Sequence, residues 1–214
     1  MGTLTESFAN LSEYLAAQGK KASASNSLAE LWLTKVLKPL LPSGIRCGMG
    51  TITDIKDRQV GPIDIVASVD SFPAFSEGQA TTYLADGVVF CLQVRDWAHD
   101  DLTHFGDMAA HVKKLERKKK TPIPCLAVGF DLLPLAELTQ YLNGKSGQAI
   151  DGIFSLGHHT LIRNSLGWYG DPKKVPFVSE HPGPEAMKAF TFFLLQLSQT
   201  ALGQSFGLAD YQHL

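Results

Sequence analysis

The chain has 214 residues with a formal net charge of −2, and 44% of its residues are hydrophobic, which suits one well-buried domain of ordinary globular composition. No apolar run approaches the roughly 20 residues of a membrane-spanning helix, and residues 1–6 lack the basic and apolar regions of a signal peptide, so we expect a cytoplasmic protein with no membrane attachment. Because the net charge is near zero, any affinity for nucleic acid has to come from a local patch.

The N-terminal part of the chain reads as a separate segment. Residues 4–17 are predicted to form an amphipathic helix, and residues 20–25 a linker rich in serine, alanine and lysine. We therefore predict an N-terminal helix and linker over residues 1–25 and a single domain over residues 26–214. Within that domain, helices are predicted over residues 27–42, 101–119, 135–142 and 184–202.

The predicted strands are interspersed with these helices. They cover residues 45–55, 63–69, 88–95 and 125–130, with a later hairpin formed by residues 150–156 and 160–162. Residues 72–79 and 171–184 contain prolines and glycines and are predicted loops. This order predicts an α/β or α+β fold in which a central mixed β-sheet is flanked by helices.

One acidic residue stands inside an apolar strand, in the run Ile63-Asp64-Ile65-Val66. A carboxylate at such a position costs free energy unless it is paired or binds a cation, and carboxylate oxygens are the ligands that Mg²⁺ prefers. Asp64 is therefore a candidate catalytic residue and metal ligand. The alternative is that its side chain faces solvent from an edge strand.

The strand over residues 88–95 ends in two polar residues, Gln93 and Arg95, which share one face because side chains alternate along a strand. If this strand pairs with the strand of Asp64, the three side chains meet. Gln93 offers a neutral oxygen, and Arg95 stays protonated, so it can hold a phosphate but cannot act as a base. The alternative is an ion pair between Arg95 and Asp64 that neutralises both without a metal.

Glu30 lies on the second predicted helix and could be directed towards the same site. The alternative is a capping box, because Ser27 and Glu30 have the spacing in which the two side chains bind the first amides of a helix.

The most basic stretch of the chain lies in the second half of the predicted helix over residues 101–119, and it could contact a nucleic-acid backbone. Its candidate contact residues are Lys113, Lys114, Arg117 and Lys118. The alternative is a solvated helix end. No aromatic residues are interleaved with these cations, so stacking on single strands is not predicted.

Two histidines of the same helix, His104 and His111, are seven positions apart and therefore share a face. They lack the four-residue spacing of a helical zinc pair, so no metal site is predicted for them.

Several short motifs, taken in their order along the chain, resemble a bacterial family within the PD-(D/E)XK nuclease-like superfamily. The resemblance begins near residue 26 and covers most of the remaining chain. The motifs are Ala29-Glu30, Leu41-Pro42, Gly48-Met49-Gly50-Thr51-Ile52-Thr53-Asp54, Ile63-Asp64-Ile65-Val66, Leu84-Ala85-Asp86-Gly87-Val88 and a strand that ends in Gln93-Val94-Arg95.

This resemblance implies a restriction-endonuclease-like fold with a site formed by Glu30, Asp64, Gln93 and Arg95. It implies Mg²⁺ held by Asp64 and Glu30 if the site is active, and no cofactor otherwise. It also implies relatives in restriction, anti-phage defence or mobile-element systems, with DNA, a protein partner or further copies of the chain as candidate partners.

The chain departs from the superfamily pattern where Glu-x-Lys is expected, because it has Gln93-Val94-Arg95. This change removes one ligand charge and the lysine, so we expect weak or absent cleavage and a fold retained for binding nucleic acid or a partner. Two alternatives remain open: an active Mg²⁺-dependent DNA endonuclease, and an interaction or immunity module with no role at nucleic acid.

Overall fold

The computed structural model describes eight stretches of the chain, and all structural statements below concern these residues. The stretches are residues 4–19, 25–77, 80–95, 99–129, 133–155, 159–163, 178–182 and 184–204.

The described residues form nine strands in one mixed sheet. The strands are β1 Ile45–Thr53, β2 Gln59–Val69, β3 Ala74–Glu77, β4 Ala80–Leu84, β5 Val88–Val94, β6 Cys125–Gly129, β7 Gly152–Ser155, β8 His159–Arg163 and β9 Val178–Pro182. Their order across the sheet is β3-β4-β1-β2-β5-β6-β7-β8-β9. The pairs β1–β4, β5–β6 and β6–β7 are parallel, and the other neighbours are antiparallel.

Helices cover both faces of this sheet, which confirms the predicted fold class. They are α1 Leu4–Gly19, α2 Ser25–Trp32, α3 Lys38–Leu40, α4 His99–Lys113, α5 Leu135–Asn143 and α6 Pro184–Ala201, and a π-helical turn at Leu33–Leu37 joins α2 to α3. None of these described helices is long and apolar enough to cross a membrane.

Two hydrophobic clusters lie on opposite faces of the sheet. One joins α1, α2 and α6 to β5 side chains such as Leu92 and Val94, and at its centre the ring of Phe154 stacks on that of Phe190 at 4.8 Å. The other joins α4 and α5 to Val88 and Cys91 of β5. From Phe90 onwards the side chains of β5 alternate between the two layers, and this alternation determines where Gln93 points.

The N-terminal helix is packed onto the rest of the chain. Leu15 of α1 is fully buried in the same cluster as Trp32 and Phe190. The boundary between residues 25 and 26 stays a prediction, and residues 20–24 of the predicted linker lie outside the described residues.

Three sequence predictions of secondary structure are wrong. Residues 72–79, a predicted loop, contain β3, which pairs with β4. Strand β4 in turn pairs with β1. The two strands lie so close that a side chain at Gly50 would collide with the carbonyl of Thr81. Within the predicted loop over residues 171–184, residues 178–182 form β9, while residues 171–177 and 183 lie outside the described residues. Finally, α4 ends at Lys113 rather than near residue 119.

Candidate active site

Asp64 lies in the middle of the sheet, at a bulge of β2. In the β1–β2 pair, Gly48 lies opposite Val66 and Gly50 lies opposite Ile63, so two positions along β1 correspond to three along β2. The extra residue in β2 bends the strand and redirects its side chains, so Ile63 and Val66 reach one cluster while Ile65 reaches the other. Asp64 is only 8% exposed, and β2 has neighbours on both sides. The alternative of a solvent-facing side chain on an edge strand is therefore wrong.

The side chains of Asp64 and Gln93 connect β2 to β5 beyond their last paired residues, Ile65 and Leu92. The backbone N–H of Val94 donates to Oδ2 of Asp64 at 2.9 Å. In return, the backbone N–H of Asp64 donates to Oε1 of Gln93 at 3.3 Å. One of the two carboxylate oxygens of Asp64 and the amide oxygen of Gln93 thus each accept one backbone N–H.

Arg95 stands next to this pair and completes the group of three. Its backbone N–H donates to the carbonyl of Val128 at 3.0 Å, which fixes its position beside β6. Its Nε lies 4.0 Å from Oδ2 of Asp64 and has no hydrogen-bond partner among the described residues. The side chain is 40% exposed, so its guanidinium retains donors for a ligand.

The ionisation of Asp64 reflects this environment. Burial raises the pKa of its carboxyl group above the ordinary value, and the Val94 N–H and the charge of Arg95 offset this effect only in part.

A cavity of about 730 Å³ opens in front of Gln93 and Arg95. The start of β2 and the end of β5 form one wall, and α4 forms the other. The charged and polar lining residues are Arg58, Gln59, Gln93, Arg95, Asp101, His104, Asp107, His111 and Lys114, and the apolar ones include Val60, Pro62, Phe105, Met108 and Leu115. Both histidines line the cavity, so they lie on one face of α4, as their spacing predicted. Asp64 is not part of the lining.

Sequence reasoning missed one cation of this cavity, Arg58, which Asp54 holds in place. Asp54 is 6% exposed, and its carboxylate accepts the N–H groups of Lys56 at 2.8 Å and Arg58 at 3.0 Å. It also accepts Nε of Arg58 at 2.8 Å and the backbone N–H of Glu116, beyond the end of α4, at 2.8 Å. Burial acts to raise the pKa of Asp54, but these hydrogen bonds outweigh it and hold the pKa well below its usual range.

The structure separates the four predicted nucleic-acid contacts from one another. Lys113 forms an ion pair with the buried Asp151, whose Oδ2 also accepts the N–H of Cys125 at 2.7 Å. Lys114 lines the cavity. Arg117 is turned towards the start of β5, where its Nη2 donates to the carbonyl of Val88 at 3.1 Å. Lys118 is exposed. The four residues therefore do not form one continuous patch, and only Lys114 faces Arg95 across the cavity.

Glu30 is exposed and does not line the cavity. Its helix α2 packs through Ala29 and Trp32 into the cluster that contains Leu92 and Val94, whereas the intervening Gln93 lines the cavity beside α4. Helix α2 begins at Ser25, two residues before Ser27, and the capping-box alternative stays a prediction. A catalytic or metal-binding role of Glu30 stays a prediction that no observed contact supports.

The described residues do not fit a Mg²⁺ site. Mg²⁺ is usually bound by one or two carboxylates, with waters completing an octahedron. In the part of the chain that the structure describes, no group of three or more His, Cys, Asp or Glu side chains could hold a metal. Asp64 is the carboxylate whose hydrogen bonds join it to Gln93 and Val94, and the positive charge of Arg95, 4.0 Å from it, opposes the binding of a cation.

The similarity of this chain to known proteins lies in its fold. No protein-family model and no curated protein matches the sequence. Among solved structures, NucC of E. coli MS115-1 in its cAAA-bound form has a TM-score of 0.75 at 16% identity, over 94% of this chain and 92% of that one. NucC of P. aeruginosa ATCC27853 with bound cAAA has a TM-score of 0.76 at 17% identity, with the same coverage. The apo form of the E. coli protein has a TM-score of 0.70 at 17% identity, over 99% of both chains. The chain therefore has the restriction-endonuclease-like fold of NucC.

Proposed function

We propose that this chain is a nuclease-fold protein with a degenerate active site, which binds nucleic acid through its cavity and cleaves it weakly or not at all. We place it in a bacterial defence or mobile-element system. The fold it shares with NucC and the resemblance of its motifs to PD-(D/E)XK nucleases support this proposal. The observation that carries it is the arrangement of Asp64, Gln93 and Arg95.

The degeneracy follows from charge and from hydrogen bonding. Oδ2 of Asp64 and Oε1 of Gln93 each already accept one backbone N–H, and Gln93 supplies a neutral oxygen where a second carboxylate would supply a charge. A cation at this position also has to approach the guanidinium of Arg95, whose Nε is 4.0 Å from the same carboxylate oxygen. The missing ligand charge and the positive charge of Arg95 both lower the affinity for a divalent cation.

The cations that line the cavity favour the binding of a phosphate. Arg58, Arg95 and Lys114 line one cavity, and the guanidinium of Arg95, whose Nε has no partner among the described residues, offers paired donors that match two phosphate oxygens. A volume of about 730 Å³ is within the range of roughly 300–1,000 Å³ of small-ligand sites, so the cavity has room for a nucleotide. Asp101 and Asp107 on the other wall keep the cavity from being uniformly positive, which predicts moderate affinity.

The proposal is tested by measuring binding and cleavage in the same samples. The purified chain is mixed with labelled single-stranded DNA, duplex DNA and RNA, with and without magnesium or manganese. We expect salt-sensitive binding that weakens in Arg95→Gln and Lys114→Gln but not in Lys35→Gln, whose exposed side chain does not line the cavity. Metal-dependent cutting that disappears in Asp64→Asn contradicts the degenerate site. Absence of any binding favours the interaction or immunity module instead.

A second candidate is an active Mg²⁺-dependent DNA endonuclease that works only with a bound activator. It is favoured by the cAAA present in two of the similar NucC structures. Repeating the cleavage assay with added cAAA separates the two proposals. Cutting that requires both cAAA and Asp64 supports the second candidate, and unchanged DNA under all conditions supports the first.

A further inference from the structure

A second, smaller pocket lies at the other end of β5 from the cavity. It has a volume of about 160 Å³ and is bounded by the start of β5, by the loop that follows α4 and by the end of α6. Val88, the first residue of β5, contributes to it. Arg95 is seven positions beyond Val88, which at the rise of an extended strand corresponds to about 23 Å. This pocket is therefore distinct from the candidate active site.

The loop that carries its charged residues is held rigidly against the sheet. Three successive residues each make a hydrogen bond to a different part of the fold. The N–H of Glu116 donates to Asp54 at 2.8 Å, Nη2 of Arg117 donates to the carbonyl of Val88 at 3.1 Å, and the N–H of Lys118 donates to Asp86 at 2.6 Å. A site built on such a loop loses little conformational entropy when a ligand binds.

Arg117 is the central residue of this pocket. Its Nε is buried and has no hydrogen-bond partner among the described residues, although a guanidinium has five N–H donors and only one bond, to Val88, is observed. Burial lowers the pKa of Arg117, and the negative charge of Asp86 offsets this in part. A half-buried cation with unused donors is stabilised when an anion binds beside it.

The other polar groups of the pocket also favour the binding of an anion. Lys119 adds a second positive charge, and Thr121 and Thr200 add hydroxyl groups. No Asp or Glu is present among the described lining residues. Electrostatically, these residues select an anion.

We infer that this pocket binds a small tetrahedral oxyanion, namely a phosphate group held by Arg117 and Lys119. Its volume of about 160 Å³ lies below the roughly 300 Å³ at which pockets for larger organic ligands begin, so a nucleoside does not fit. A water needs roughly 10–15 Å³ of such a volume, which leaves room for one oxyanion with a few waters. The phosphate is either a free ion or the end of a polynucleotide.

Inorganic phosphate is the first probe, and arginine side-chain NMR reports on this site alone. In ¹⁵N-labelled wild-type protein at constant ionic strength, we expect the Nε–H resonance of Arg117 to shift saturably with phosphate. By calorimetry, Arg117→Gln should lose at least about tenfold in phosphate affinity, and Arg117→Lys should lose less because it keeps the charge but not the fork. Lys120→Gln, an exposed neighbour outside the pocket, should change affinity less than about twofold.

A second probe identifies the source of the phosphate. An oligonucleotide with a 5′-phosphate and its 5′-hydroxyl counterpart are titrated against wild type and Arg117→Gln. A preference for the phosphorylated strand that depends on Arg117 assigns the site to a polynucleotide end, whereas a response to inorganic phosphate alone assigns it to the free ion. An Arg117 Nε–H resonance that moves with neither probe overturns the inference, and because this measurement uses the wild-type protein, a poorly folded variant cannot obscure it.

Discussion

Asp54 and Asp64 are both buried, at 6% and 8% exposure, and each stands beside an arginine that lines the same cavity. Their surroundings differ sharply. Asp54 accepts four hydrogen bonds, two of them from Arg58, and its pKa is lowered. Among the described residues Asp64 accepts one hydrogen bond, from Val94, with Arg95 4.0 Å away, and its pKa is raised. Hydrogen bonding, more than burial or an adjacent arginine, therefore decides whether the pKa of each buried carboxyl group is lowered, as in Asp54, or raised, as in Asp64.

The largest effect is expected from Asp54→Ala, because it leaves four donors without their acceptor and detaches the β1–β2 turn from the end of α4. We expect the melting temperature to fall by roughly 10 °C. The contribution of Asp54 also depends on pH. Because its folded-state pKa is lowered, its stabilisation is present above the unfolded value near 4 and is lost as the pH falls towards the folded value.

Calorimetric melting of wild type and Asp54→Asn between pH 7 and pH 2.5 tests this dependence. The difference in melting temperature should be largest near neutral pH and shrink below about pH 4. Asp57→Asn, a neighbouring turn residue that is exposed, is the control and should melt close to wild type. A constant difference over the whole pH range would contradict an ionised Asp54 as the source of the stability.

The next largest effect is expected from the double substitution Gln93→Glu with Arg95→Lys, which restores the Glu-x-Lys pattern. It places a second carboxylate beside Asp64 and replaces a guanidinium with a compact ammonium group. Two adjacent carboxylates repel each other unless a cation lies between them, so we expect measurable uptake of Mn²⁺ where the wild type shows none. Titration calorimetry with Mn²⁺ provides the measurement.

The control for this experiment is the same double substitution combined with Asp64→Asn, which should lose the added affinity. If the double variant is folded and takes up no Mn²⁺, the backbone around the β2 bulge has moved beyond a geometry that can bind metal. The degenerate site would then rest on backbone shape as well as on side-chain identity.

A third prediction concerns Arg58 as a phosphate contact. If Arg58 contacts a phosphate in the cavity, Arg58→Gln should reduce the slope of log affinity against log salt concentration by about one. Lys56→Gln is the matched control, because Lys56 lies on the same turn, is 64% exposed, pairs with Glu116 and does not line the cavity. Equal slopes for both variants and wild type would exclude Arg58 from the contact.

Part of this site could be predicted from the sequence because it depends on local rules. Strand alternation predicts that Gln93 and Arg95 share a face, and an acid within an apolar strand draws attention to Asp64. The two strands do pair as neighbours, which brings the three residues together. Their chemical role stays a prediction.

The remainder depends on contacts between residues that are distant in sequence. The bond from Glu116 to Asp54 spans 62 positions, and the ion pair that withdraws Lys113 from the basic stretch spans 38. Neither partner is marked by local spacing. The edge strand β3 was missed for a similar reason, since its four residues form a strand only through pairing with β4.

The smallest effect is expected from Asp64→Asn, which removes the charge and keeps a side-chain oxygen for the Val94 N–H. Since the folded-state pKa of Asp64 is raised, the protonated form is favoured in the folded chain, and stability falls as the pH rises from the unfolded value through the folded value. Because asparagine has no ionisable carboxyl group, Asp64→Asn does not lose stability in this way as the pH rises. Its melting temperature should match wild type near pH 3.5 and exceed it by no more than about 3 °C at pH 7, which is the opposite pH trend to that of Asp54→Asn. A variant that melts well below wild type at pH 7 would mean that the charged Asp64–Arg95 pair stabilises the fold, and the contrast between the two aspartates would then lie in their geometry alone.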